Sequence, residues 1–213
     1  MKTLAARTLL PRTSRFACAM VLAVALVSTL PQHAYAQREA PPPVPNTIQV
    51  PAGNRLFLAG HAYGTQNYIC LPSGTGFMWT LFGPQATLLH NDANQVMTHF
   101  LSANPDEGGM LRATWQHSID TSAAWARAIG TSADPAFVAP GAIPWLLLEV
   151  VGSESGPTGG KKMRAATYVH RLNTVGGLAP ATGCSQSSDV GSRAFVPYEA
   201  DYFFYRDQHR NGD

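Results

Sequence analysis

The chain has none of the compact motifs that mark a known chemistry, and each absence closes a route. Gly74-Thr75-Gly76 runs on into Phe77-Met78-Trp79. The third glycine of a dinucleotide fingerprint is therefore missing, and with it the close helix–strand packing that seats such a cofactor. Gly160-Lys161 resembles the end of a phosphate loop, but Lys162 stands where Ser or Thr is needed and Ser155 where the first Gly belongs. There is no GxSxG elbow, no HExxH and no CxxC. Beyond residue 36 the histidines are His61, His90, His99, His117, His170 and His209, and none lies two to five residues from another. The commonest local metal-ligand spacings are thus absent. No cofactor and no metal is expected. Lys161, Lys162 and Arg164 form the only basic cluster, which reads as a solvated loop rather than a nucleic-acid footprint.

Long hydrophobic runs are also lacking. The longest apolar stretch, residues 16–30, is short of the roughly 20 residues a spanning helix needs. It follows Lys2, Arg7, Arg12 and Arg15 and precedes Ala34-Tyr35-Ala36, a small-x-small cleavage site. Residues 1–36 are therefore predicted to be a cleavable secretory signal peptide, which places the protein in the periplasm or outside the cell. No Cys stands immediately after the cleavage site and no Arg-Arg pair precedes it, so neither a lipid anchor nor the twin-arginine route is indicated. After cleavage no transmembrane anchor is expected. The whole chain carries a formal +2, but four of its fifteen basic residues and none of its thirteen acidic ones lie in this segment. The remainder carries −2, so the apparent basicity belongs to the targeting signal.

Cysteine is sparse. Of three, Cys18 leaves with the signal, so Cys70 and Cys184 remain as an even pair. In an oxidising compartment a disulfide between them is the expected form, with two free buried thiols as the alternative.

Gly and Pro are plentiful, and they punctuate runs rich in aromatic and branched residues. Residues 37–47 hold Pro41, Pro42, Pro43 and Pro45 and read as a stiff lead-in. A single β domain is predicted over residues 48–207, followed by a polar tail at 208–213. Strands are expected at 55–61, 65–71, 77–82, 95–101, 111–118, 145–151, 165–172 and 199–205. In the second, Gln66, Tyr68 and Cys70 share one face. FMWTLF at 77–82 is apolar on both faces, which suggests a central strand. TSAAWARAI at 121–129 admits a short helix, because Ala favours one, or a strand paired across an Ile119-Asp120 turn; we adopt the strand. GSESGPTGG at 152–160 reads as a mobile surface loop. The predicted fold class is all-β, an antiparallel β-sandwich or barrel with short strands and Gly/Pro-rich loops.

Candidate acid–base residues are His99 and His117, at similar depth in successive strands, with Asp120 facing the same pocket. Glu149 is a further one, a carboxylate in the apolar run IPWLLLEVV. Burial there would raise its pKa, whereas a position at the strand's end would leave it in solvent. Trp79, Trp115, Trp125 and Trp145 with Tyr198, Tyr202 and Tyr205 are candidates for a stacking platform. Trp115, Trp125 and Tyr205 are the ligand-binding candidates taken from this set, although most of these rings are expected in the core.

Segments 64–89, PGAIPWLLL within 139–152, GGLAPATGC within 173–185 and VPYEADYFFY at 196–205 resemble the family catalogued as domain of unknown function 3455, in the family's order and over nearly the whole exported chain. Its members are exported bacterial proteins and fungal proteins of unestablished activity. Some fungal members are labelled malate dehydrogenase, which the missing cofactor fingerprint here does not support. The resemblance supplies no catalytic residues. It does imply the pairing of an early cysteine, Cys70, with a late one, Cys184. The leading functional expectation is a β domain that binds a ligand or a surface. The alternatives are an extracellular enzyme acting on polysaccharide or a small molecule by acid–base chemistry, and a structural envelope or cell-surface protein.

Overall fold

The computed structural model describes residues 40–90 and 93–209; the predicted signal peptide and most of the polar tail lie outside them. Eight strands run β1 (Asn54–Ser73), β2 (Gly76–Leu89), β3 (Gln95–Asn104), β4 (Met110–His117), β5 (Ala123–Ser132), β6 (Trp145–Glu154), β7 (Tyr168–Gly176) and β8 (Arg193–Asp207). Each pairs antiparallel with its neighbours in sequence, and β8 closes on β1 to form a barrel. Closure removes the exposed sheet edges that an open meander would leave. Of the two predicted all-β architectures, the chain adopts the barrel. The disputed stretch 121–129 supplies most of β5 and is strand.

The strands are longer than predicted. The expected pair at 55–61 and 65–71 is one strand of 20 residues, paired along nearly its whole length with β8 and, over its second half, with β2. Gly64, at the expected break, marks a close approach rather than a turn. A Cβ there would lie 2.1 Å from the Gln85 carbonyl oxygen and 2.6 Å from Ala86 Cα. The strand at 77–82 is not central. Met78, Leu81 and Phe82 are 51%, 48% and 38% exposed. The cause is geometric, since β3 pairs only with residues 86–89 of β2. The rest of β2 runs past the barrel wall with β1, and Phe82 is the extra residue of a bulge.

Alternation along the strands divides two cores. Inside the barrel pack Ala62, Leu88, Met97, Trp115, Ala124, Ala126, Leu148, Val169, Tyr202 and Phe204. Outside it, Ile48, Val138, Trp145, Leu147, Leu172, Phe203 and Tyr205 form a second cluster. Val44 and Val50 on the amino-terminal segment, with Phe137 before β6, cover this outer face. His170 pins that segment by donating from Nε2 to the Ile48 carbonyl at 2.6 Å, and its Nδ1 accepts from the Tyr205 hydroxyl at 3.0 Å. At one end of the barrel the 3-10 turn Lys162–Ala165 drives Met163, fully buried, into the inner core. At the other end a Cys70–Cys184 disulfide, closing a sequence separation of 114, ties the β7–β8 connection to β1. The loop predicted to be mobile docks on the β4–β5 turn. A Cβ at Gly156 or Gly160 would collide with the backbone or side chain of Asp120 or Thr121 at about 2.1 Å.

Candidate functional site

The inner core is apolar at the plugged end and polar toward the disulfide end. There a cavity of about 530 Å³ opens between β2, β3, β4, β5 and β6. That volume falls in the range of small-molecule sites, and an eight-stranded barrel has an interior just wide enough to be filled or to hold one small ligand. Gln66, His99, Trp115, Arg171 and Tyr202 line its inner part, and Leu81, Phe82, Leu101 and Leu111 line its mouth. The four mouth residues are all at least 36% exposed.

The inner groups are placed by register. Ala86 pairs with His99, His99 with Trp115 and Trp115 with Ala124, so these side chains enter the lumen side by side. Arg171 pairs with Tyr202 across β7 and β8. His99 donates from Nδ1 to the Thr114 carbonyl at 2.8 Å, and burial holds its pKa down at about 3. The imidazole is thus neutral, its Nε2 an acceptor. The ring stacks on Trp115 at 4.3 Å between centroids and 5° between planes, and Tyr202 tilts against both. Burial also raises the Tyr198 and Tyr202 pKa values, keeping both hydroxyls protonated.

Hydrogen bonding in this lumen is incomplete. Trp115 Nε1 and Gln66 Nε2 are buried and make no hydrogen bond, although Gln66 sits beside the Tyr198 hydroxyl. Native interiors leave few such groups, and each costs about 1–3 kcal/mol. Three arginines border the cavity. Arg112 is neutralised by Glu107, with contacts of 2.7 and 2.8 Å, and Arg127 by Glu149 at 2.8 Å. Arg171 gives Nε and one terminal nitrogen to the Pro144 carbonyl and also lies against the Tyr202 hydroxyl. Among the described residues no carboxylate pairs with it.

The predicted acid–base residues do not assemble. His99 lies in the lumen, whereas His117 and Asp120 sit at the plugged end. There His117 Nδ1 meets Asp120 Oδ1 at 3.0 Å. The Asp120 carboxylate also accepts from the Ser122 amide and hydroxyl and from the Lys162 amide. These bonds hold its pKa down at about 2 against the opposing effect of burial. The reason is register. His117 pairs with Met97 rather than with His99, and Asp120 lies in the turn after it. Glu149 faces outward in the half-exposed pair with Arg127 and is not buried in the apolar run around it.

The aromatic residues form no platform either. Trp115 and Tyr202 are in the lumen, Trp125 donates to the Ser102 hydroxyl at 2.8 Å, Trp79 donates to the Thr182 carbonyl at 2.9 Å, and Trp145 and Tyr205 belong to the outer cluster.

Sequence reasoning missed one cluster that the β1–β8 ladder assembles. His61 opposes Asp201, with Nδ1 at 2.5 Å from Oδ1, and its Nε2 lies 3.4 Å from Glu199. Asn173, at φ +50°, donates to the other Asp201 oxygen at 2.6 Å. Asp201 raises the His61 pKa despite partial burial. With a carboxylate beside each nitrogen, both sides of the ring are already engaged, and the cluster ties β1 to β8.

Residues 51–206 match the family model described as "Protein of unknown function (DUF3455)". The chain belongs to this family. No curated protein and no solved structure matches, so the family's site is read here from the barrel's own geometry. The matched span runs from just before β1 to near the end of β8 and contains every residue lining the lumen cavity.

Proposed function

We propose that this member of the family is an exported binding protein that takes a small ligand into the open end of its barrel. The carrying observation is the contrast inside one cavity, where, among the described residues, Trp115 Nε1 and Gln66 Nε2 lie buried without hydrogen bonds beside a cation, Arg171, that has no carboxylate. Buried polar groups are normally satisfied, and a ligand supplying acceptors would complete them. The exported location rests on the predicted signal peptide, and the Cys70–Cys184 disulfide is compatible with it. Among the described residues no helix is long and apolar enough to cross a membrane.

Uptake of a neutral apolar fluorophore, N-phenyl-1-naphthylamine, tests the reading. The dye should brighten with the native protein, and Ala128→Trp at the mouth should reduce the effect. No brightening, together with no thermal stabilisation by any small molecule in a broad panel, would count against a ligand-binding lumen.

A further inference from the structure

The chemistry of the lumen says more than that something binds there. We propose that the ligand is an amphiphile with a carboxylate head, received by Trp115, Gln66, Arg171 and Tyr202, and an apolar chain that runs out between Leu81, Phe82, Leu101 and Leu111. This rests on the binding reading above and adds the class of ligand.

The inner groups are almost all donors. An indole N–H and a guanidinium donate only, a primary amide has hydrogens to give, and the Tyr202 phenol, 3.3 Å from the Tyr198 hydroxyl, can turn its hydrogen to a ligand while accepting from Tyr198. His99, fixed as a neutral ring by its bond to the Thr114 carbonyl, supplies a flat wall and one acceptor. An ionised carboxylate offers about four lone-pair sites on two oxygens. It would answer the two donors of this cavity that have no partner, and Arg171, which of the three arginines bordering the cavity is the one without a carboxylate among the described residues. A neutral head would leave Arg171 uncompensated. An ammonium head would face it with like charge in a desolvated site. A phosphate monoester would bring a charge of about −1.5 to −2 to a single free cation, since Arg112 and Arg127 are already paired. One uncompensated charge matches one carboxylate.

The mouth argues for the chain. Four large apolar side chains ring it, and all are exposed although they belong to strands. They come from the splayed part of β2, beyond its ladder with β3, and from the facing ends of β3 and β4. Covering them would return about 25 cal/mol for each Å² of apolar surface removed from water. A rigid polar sugar would leave that surface wet.

Calorimetric titration of the purified protein with decanoate, 1-decanol and decylammonium at neutral pH separates the possibilities. Decanoate should bind at least about tenfold more tightly than decanol, with decylammonium weakest. Arg171→Gln should erase the preference for decanoate while leaving decanol unchanged. Trp115→Phe, which keeps a ring in the core, should weaken decanoate by about tenfold, with no loss of thermal stability in the free protein. Equal binding of all three heads, indifferent to both variants, would overturn the carboxylate assignment and leave the lumen reading standing. Failure of all three, and of the naphthylamine dye, would overturn both.

Discussion

The two ends of the barrel are built from the same strands and solve opposite problems. At the plugged end one carboxylate, Asp120, gathers donors from Ser122, Lys162 and His117, and Met163 fills the space beneath. Every polar group named there has a partner. At the open end, among the described residues, Gln66 and Trp115 have donors without acceptors and Arg171 has no counter-charge. A constellation of His and Asp therefore need not be an active site, and a cavity without such a constellation can still be the functional one. On the proposed reading, unanswered donors that face a cavity, rather than titratable residues, mark the binding end; Trp145 Nε1 and Arg206 Nε are also buried without partners, but neither lines the lumen cavity.

Four substitutions or conditions test that contrast. The largest effect should come from the bridge at the open end. Replacing Cys70 and Cys184 with Ser and Ala should cost about 4–5 kcal/mol, as expected for closing a loop of this length, read as a lower urea midpoint. The next should come from pH. The His99 pKa falls from 6.5 in the unfolded chain to about 3 when folded, so the unfolded state takes up the proton first. Its contribution is fully present above about pH 6.5 and is lost as pH falls through 3, by about 4–5 kcal/mol in all. His170 acts in the same direction. His61, whose pKa is raised, acts oppositely, contributing below its unfolded pKa and losing that as pH rises through the folded one. Urea titrations at several pH values should show a shallower acid slope for His99→Phe than for the native chain.

At the plugged end Asp120→Ala should destabilise by about 3 kcal/mol, because it orphans several donors at once, yet leave ligand affinity intact. A loss of affinity without loss of stability would erase the distinction between the ends. The smallest effect belongs to the rim. Arg127→Ala breaks a half-exposed pair with Glu149 and should change stability by less than about 1 kcal/mol. A tenfold loss of decanoate affinity would show that Arg127, and not Arg171, receives the head.

Much of the scaffold was legible in the sequence. Alternation and Gly/Pro punctuation located the strands, and the parity of two remaining cysteines agreed with the observed bridge. Gln66 was placed correctly on one face with Tyr68 and Cys70. What that face looked onto depended on closure of β1 against β8, a contact between residues 140 apart for His61 and Asp201. Arg171 gave a local signal, since it lies two residues beyond Val169, and strand alternation puts both on the lumen face. Its significance came only from finding that Pro144 is its hydrogen-bond acceptor and that Glu107 and Glu149 belong to other arginines. His117 and Asp120 looked like a site because spacing along the chain reports proximity and not whether lone pairs are already used. The apolar strand at 77–82 misled because hydrophobicity on both faces marks a buried strand and an exposed apolar patch alike.

A carboxylate held in the lumen must give Trp115 Nε1 an acceptor. The protein has four indole N–H groups, and Trp145 Nε1, in the outer cluster, is also buried without a partner, which provides an internal control. In a proton–nitrogen correlation spectrum, with the Trp115 signal assigned by its loss in Trp115→Phe, saturating decanoate should shift Trp115 downfield and leave Trp145 in place. A Trp115 resonance unmoved in a protein saturated with decanoate would contradict the account.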